Sequence, residues 1–278
     1  MQPEILADGF AFLEGPRWRD GALWMSDMHG DAVYRLTLDG KFEKILDVSN
    51  QPSGLGWLEG GDMLIVSMLD KKILRRTPEG DVSEHADISG LVPERINEMH
   101  VDSSGRAWIG NFGFDLDAGD SARSTNFVRV DPDGSSTVAA EDLFFPNGTV
   151  TLNDQKTLIV AETFGRKLTA FDIAKDSSLT NRRTWAEMPE RAVPDGICLD
   201  AENGIWVASP TTAEAFRVIE GGEITERIET GRMAIATALG GDDGKTLFIL
   251  TSEATARKAC QAAMSARVEY VTVDIPAA

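Results

Sequence analysis

The sequence predicts an all-β chain folded as a six-bladed β-propeller, with four antiparallel strands per blade. Three observations predict it. A short pattern returns six times, at intervals of about 39 to 50 residues, the period of propeller blades. Every copy runs through an apolar strand, a Gly/Asp/Asn-rich turn and a second apolar strand. The two ends of the chain supply the strands that the last copy lacks, so the ring can close.

The copies open at Leu13-Glu14-Gly15-Pro16, Pro52-Ser53-Gly54-Leu55, Ile96-Asn97-Glu98-Met99, Pro146-Asn147-Gly148-Thr149, Pro194-Asp195-Gly196-Ile197 and Ala236-Thr237-Ala238-Leu239. The second strands are runs such as Ala22-Leu23-Trp24-Met25, Met63-Leu64-Ile65-Val66 and Gly204-Ile205-Trp206-Val207. Third strands follow, among them Ala32–Leu36, Lys72–Arg75, Phe127–Val130, Leu168–Asp172 and Ala215–Val218. Asp39-Gly40, Glu79-Gly80 and Asp133-Gly134 then suit tight hairpins into fourth strands such as Lys41–Leu46. In the sixth copy Arg267–Val273 is the third strand and Glu4–Ala7 the outermost one. Ala256–Ser265 alone has a helical composition and reads as an excursion between strands. One domain, residues 1–278, is expected.

The chain carries a net charge of -18, which repels phosphate backbones and anionic lipid, so no nucleic-acid or membrane partner is expected. No apolar run is long enough to span a bilayer, and the N-terminus lacks the features of a signal peptide. Two cysteines, Cys198 and Cys260, fit a reduced, cytoplasmic setting. The outer strands show no large apolar surface, so a monomer or weak dimer is expected.

The second residue of each copy is polar: Glu14, Ser53, Asn97, Asn147, Asp195 and Thr237. In a propeller the start of the innermost strand lies at one mouth of the central channel, so these six converge. Glu14, Asn147 and Asp195 supply two carboxylates and an amide oxygen. This hard-oxygen set suits one divalent metal ion, Ca²⁺ first, with Mg²⁺, Mn²⁺ or Zn²⁺ as alternatives. Asn97 is either a fourth ligand or a donor to substrate. Ser53 and Thr237 are weaker donors that can equally satisfy local backbone.

The loops after the second strands form the rim. Phe112, Phe114 and Phe164 are read as an apolar wall over the site, or else as packing between blades. Phe144 and Phe145, just before Asn147, are further candidates to face the cavity. Arg95 precedes the third slot and either binds a substrate carbonyl, hydroxyl or carboxylate or pairs with Glu98. His29 is a rim residue available as acid or base. No Gly-x-Ser-x-Gly elbow is present, which favours metal-assisted hydrolysis over covalent catalysis.

Glu14-Gly15-Pro16 with Trp18, Arg95-Ile96-Asn97, Pro146-Asn147-Gly148 and Pro194-Asp195-Gly196 together resemble the SMP-30/gluconolactonase/LRE-like family over nearly the whole chain. The resemblance implies a propeller with a central divalent metal on Glu14, Asn147 and Asp195, substrate or water contacts from Arg95 and Asn97, and hydrolysis of lactones. Related propellers hydrolyse organophosphates. Glu98 stands where many members have Asp, and Asn111-Phe112-Gly113-Phe114 is aromatic where they are polar. The expected activity is gluconolactonase-like opening of a lactone, and the aromatic segment allows a lactone or ester more apolar than a sugar lactone. A metal-dependent esterase or phosphotriesterase on the same site and a non-catalytic binding scaffold are the contrasting expectations. As an enzyme, the site would use Asp195 as general base toward water, with Asn97 orienting water or carbonyl.

Overall fold

The computed structural model describes residues 2–278. β1 (Glu4–Phe10) belongs to the last blade. Blade one is β2 (Leu13–Arg19), β3 (Ala22–Asp27), β4 (Ala32–Leu36) and β5 (Phe42–Asp47); blade two is β6 (Pro52–Trp57), β7 (Met63–Ser67), β8 (Lys72–Arg76) and β9 (Val82–Asp87). Blade three is β10 (Ile96–Val101), β11 (Ala107–Asn111), β12 (Thr125–Val130) and β13 (Ser136–Leu143). Blade four is β14 (Pro146–Thr151), β15 (Thr157–Glu162), β16 (Lys167–Ile173) and β17 (Leu179–Glu187). Blade five is β18 (Ile197–Leu199), β19 (Ile205–Ser209), β20 (Glu214–Val218) and β21 (Ile224–Glu229). Blade six is β22 (Met233–Gly240), β23 (Thr246–Ser252), β24 (Ala266–Thr272) and, outermost, β1. The expected six-bladed propeller is the observed fold. The helical excursion is α1 (Arg257–Ala263), between β23 and β24.

The apolar residues do not gather in one central core. Both faces of an inner strand are buried, and each seam between adjacent blades holds its own apolar layer. Trp108 stacks on Phe127 at 6.3 Å and packs with Leu158, Val160 and Phe171 across blades three and four. Leu13, Leu23 and Met25 meet Ala238, Phe248 and Leu250 where blade one closes on blade six. Trp18 lies parallel to Phe248 at 5.4 Å in that closing seam, and a side chain on Gly240 would occupy the space of the indole. Each layer removes apolar surface from water, and it does so between residues far apart in sequence, so the ring is stabilised as a unit. Tight contact between inner strands brings their first residues together on the axis.

Candidate metal centre and its rim

A β-bulge stands at the start of the inner strands. The register shifts between Glu14 and Arg17, Pro52 and Leu55, Ile96 and Met99, Pro146 and Thr149, and Ala234 and Ala236. A bulge kinks its strand and re-aims a side chain. In blade five the ladder begins only at Ile197, and Asp195 is held ahead of it by its N–H bond to the Ala208 carbonyl at 3.0 Å. The residue after the slot is Gly in four blades because the neighbouring strand leaves no space for a side chain. A Cβ on Gly148 would lie 2.6 Å from both the Asp195 carbonyl oxygen and the Ile197 nitrogen.

The sixth slot differs from expectation. The Gly148 N–H bonds the Asp195 carbonyl at 3.3 Å, and the Gly196 N–H bonds the Ile235 carbonyl at 2.9 Å. The same inter-blade bond therefore assigns the slot to Ile235, not to Thr237. Thr237 is two residues farther along and donates its hydroxyl to the Trp206 carbonyl at 3.1 Å. The ring thus has five polar members and one apolar one.

Glu14, Asn97, Asn147 and Asp195 are brought together. Asn147 Nδ2 donates to Asp195 Oδ1 at 2.5 Å and to Thr163 Oγ1 at 3.2 Å. Thr163 in turn donates to the Pro194 carbonyl at 2.8 Å, which ties the Asn147 amide to the Asp195 loop. Asn97 Oδ1 is buried with no partner among the described residues. Burial, followed by the Asp195 and Glu98 carboxylates, pushes the Glu14 carboxyl well above its ordinary range. Burial also pushes Asp195 up to about 7; its bond from Asn147 opposes that rise and Glu98 adds to it. Both shifts have one origin: negative charge held out of water with too little positive charge beside it.

The residues fit a divalent cation that takes hard oxygen ligands. The Glu14 and Asp195 carboxylates act on each other's charge, the Asn147 amide is bonded to Asp195, and the Asn97 amide oxygen is buried and unsatisfied. Among the described residues no three His, Cys, Asp or Glu side chains gather closely enough to hold an ion without the amides.

Glu98 and Arg17 are the components that sequence reasoning missed. Glu98 occupies a position where four other blades have Gly, is 2% exposed, and receives Arg17 Nη2 at 3.2 and 3.3 Å. Arg17 also donates to the Met99 carbonyl at 2.5 Å and the Pro16 carbonyl at 2.8 Å. The Arg17 guanidinium therefore pairs with Glu98 and partly offsets the charge on Glu14. The break in the glycine column was the signal for Glu98; nothing in the sequence marked Arg17 as its partner.

The rim departs from expectation in three places. Arg95 does not pair with Glu98. Its Nη1 donates to Asp117 Oδ2 at 2.8 Å, and its guanidinium lies 4.4 Å from the centre of the Phe112 ring. Phe114 is fully buried and serves as a support. Phe145 is the hub instead, with ring centres 4.3 Å from Phe112, 5.5 Å from Phe164 and 6.1 Å from Phe114. Its backbone, on the connection between β13 and β14, is in the left-handed region at φ 55°. Phe164 is 44% exposed and caps the group. His29 is not an open rim acid or base. It is 6% exposed, with Nε2 2.9 Å from the Thr255 carbonyl and Nδ1 3.3 Å from Gln51 Nε2, and burial lowers its pKa. It anchors the loop before α1, whose Gln261 donates to the His29 carbonyl at 2.9 Å.

The description of the SMP-30/Gluconolactonase/LRE-like region matches residues 12–253. Regucalcin of Xenopus laevis is 24% identical over 259 residues, covering 89% of this chain and 85% of that protein. Diisopropyl-fluorophosphatase of Loligo vulgaris is 26% identical over 171 residues, covering 57% of this chain and 54% of that protein. Among solved structures, a calcium-binding regucalcin from Agrobacterium tumefaciens superimposes with a TM-score of 0.84 at 20% identity, covering 100% of this chain and 95% of that one. A gluconolactonase from Xanthomonas campestris gives 0.78 at 24% identity, covering 99% and 89%. These superpositions support the propeller fold, and the match over residues 12–253 takes in all five polar slots: the chain belongs to the SMP-30/Gluconolactonase/LRE-like family.

Proposed function

We propose that this protein is a divalent-metal-dependent hydrolase that opens a lactone ring, with a preference for lactones more apolar than a sugar lactone. The observation that carries the reading is the convergence of Glu14, Asn147 and Asp195, from three blades, around uncompensated buried charge. Glu14, Asn147 and Asp195 would hold the ion, with Asn97 beside them. When bound, such an ion polarises an ester carbonyl and stabilises the charge that develops on its oxygen.

The side chains divide the remaining work. Asn147 engages Asp195 Oδ1, which leaves Oδ2 to accept a proton from the attacking water. Asn97 presents a buried, unsatisfied amide oxygen to that water. Arg95 is held by an exposed carboxylate, Asp117, which a substrate oxygen can replace. Phe112, Phe145 and Phe164 shield the site and receive an apolar substituent. The same aromatic wall favours a second reading, hydrolysis of aryl esters or phosphotriesters, and similarity to the Loligo enzyme supports it. The protein is read as acting alone or as a weak dimer.

Two measurements test the proposal. Sugar, aliphatic and aryl lactones are assayed by pH-stat with and without chelator; turnover that survives complete metal removal ends the metal-dependent reading. Bound metal is then quantified in the wild type, Glu14→Ala and Asp195→Ala. Loss in both variants is expected, and full retention in both would refute the ligand set.

A further inference from the structure

One step along the inner strands from the slots, a single charged side chain is present. The residues that follow the slots are Gly15, Gly54, Glu98, Gly148, Gly196 and Ala236. Side chains are excluded at this level where neighbouring inner strands touch. A Cβ on Gly54 would collide with the Met99 nitrogen, and one on Gly56 with the Val101 side chain. With β6 bare at both positions, Arg17 of β2 reaches past blade two to Glu98 and Met99 of β10 in blade three.

The two side chains hold each other firmly. Arg17 Nη2 meets both Glu98 oxygens and the Met99 carbonyl, and Glu98 Oε1 accepts the Met99 N–H at 3.1 Å. Behind the guanidinium lies a cleft of about 250 Å³ lined also by Trp18, Arg19, Trp57 and His100, and no carboxylate lines it. Glu98 is therefore the one ion-pair partner of Arg17 among the described residues. The other charged groups nearby cancel or are neutral. Arg95 is balanced by Asp117 at 2.8 Å. Burial lowers the His100 pKa to about 4, so its imidazole carries no charge at pH 7.

Carboxylates that hold a metal ion are ionised. With an ion bound, Glu14 and Asp195 supply two negative charges, Glu98 a third and Arg17 one positive charge. The protein groups then balance a divalent ion. Without Arg17 they would balance a trivalent one, and uncompensated charge is costly in a buried site. We propose that Arg17 is a specificity-determining residue: by neutralising Glu98 it sets the charge of the axial site and makes that site select divalent over trivalent cations. The inference rests on the reading of Glu14, Asn147 and Asp195 as metal ligands and adds a residue that touches no ion. Electrostatic work scales with ionic charge, so a change in potential at the site counts twice for Ca²⁺ and three times for Tb³⁺. The ratio of the two affinities therefore separates charge from shape.

Ca²⁺ and Tb³⁺ are titrated calorimetrically at pH 7 into the wild type, Arg17→Met, Glu98→Gln and Arg17→Met/Glu98→Gln. Binding that is absent from Asp195→Ala is assigned to the axial site. Arg17→Met is expected to raise the Tb³⁺-to-Ca²⁺ affinity ratio at least about fivefold, and Glu98→Gln to lower it by at least about fivefold. The double variant is expected to return to within about twofold of the wild-type ratio. Loss of packing alone weakens both ions by the same factor and leaves the ratio where it was. Glu98→Gln is nearly isosteric and keeps an acceptor for the Met99 N–H, so the test stands even where Arg17→Met fails to fold; circular-dichroism melts check each variant. A ratio that does not move in Glu98→Gln, or that moves the same way in both single variants, overturns the proposal and leaves the ligand set intact. A wild type that binds neither ion at the axis overturns the ligand set and the proposal with it. Lactonase activity enters none of these readouts.

Discussion

Asp195 is ordinarily ionised above pH 3.8, and in the folded protein only above about 7. Folding of the metal-free protein therefore takes up a proton between those values. The stability linked to that uptake is fully present below about 3.8 and is lost as pH rises through about 7. Asp195→Asn should consequently melt several degrees above the wild type at pH 8 in chelator, and the gap should close near pH 4. His100 has the opposite slope, because burial lowers its pKa to about 4, but it is common to both proteins and cancels. Equal melting temperatures at pH 8 would show that the Glu14–Asp195 pair carries no strain. Arg17 answers the third carboxylate. Arg17→Met should cost about 3 kcal/mol in urea denaturation by leaving Glu98 buried without its partner, and Arg17→Met/Glu98→Met should recover much of that. A double variant no better than the single one would rule out the ion pair as the cause.

The inner strands work as elements because a bulge turns the slot residue toward the axis and a glycine lets the next strand approach. Gly148→Ala would push a methyl group into the Asp195 carbonyl and the Ile197 nitrogen. A cost of about 1–3 kcal/mol is expected, with weaker Ca²⁺ binding than in the wild type because the strain falls on the Asp195 backbone. Unchanged calorimetric Ca²⁺ affinity in a destabilised Gly148→Ala would separate packing from ligand placement. The sixth strand shows where element-level reading slips. Ala236-Thr237-Ala238-Leu239 has neither the proline nor the glycine that marks four of the other copies, and a shift of two residues keeps every side chain on its own face. Alternation is blind to such a shift. The bond from the Gly196 N–H to the Ile235 carbonyl resolves it.

At the scale of the molecule, β1 is the clasp. It pairs with β24 from Glu4 opposite Tyr270 to Phe10 opposite Ala266. Phe10 then lies 5.3 Å from Tyr34 and 4.8 Å from Phe42, which ties blade six to blade one. Deleting residues 1–10 would leave the β24 edge bare and remove that contact. Loss of a single cooperative calorimetric transition and a shift to aggregates on size exclusion are expected; a monomer with an unchanged melt would mean that the inner seams alone hold the ring.

Blade count, strand order, terminal clasp, α1 and four converging polar residues were all legible before any coordinates, because each is written in a local period or in a column that recurs. The rim and the floor were not. Phe114 turned inward, His29 locked under α1, Arg95 swung to Asp117 and Arg17 reaching Glu98 all depend on how one blade is angled against another. Those angles come from seams between residues distant in the chain, and no window along a single strand contains them. Charge state belongs with them: Glu14 and Asp195 read as ordinary acids until burial and mutual repulsion, acting across the axis, make them costly to ionise.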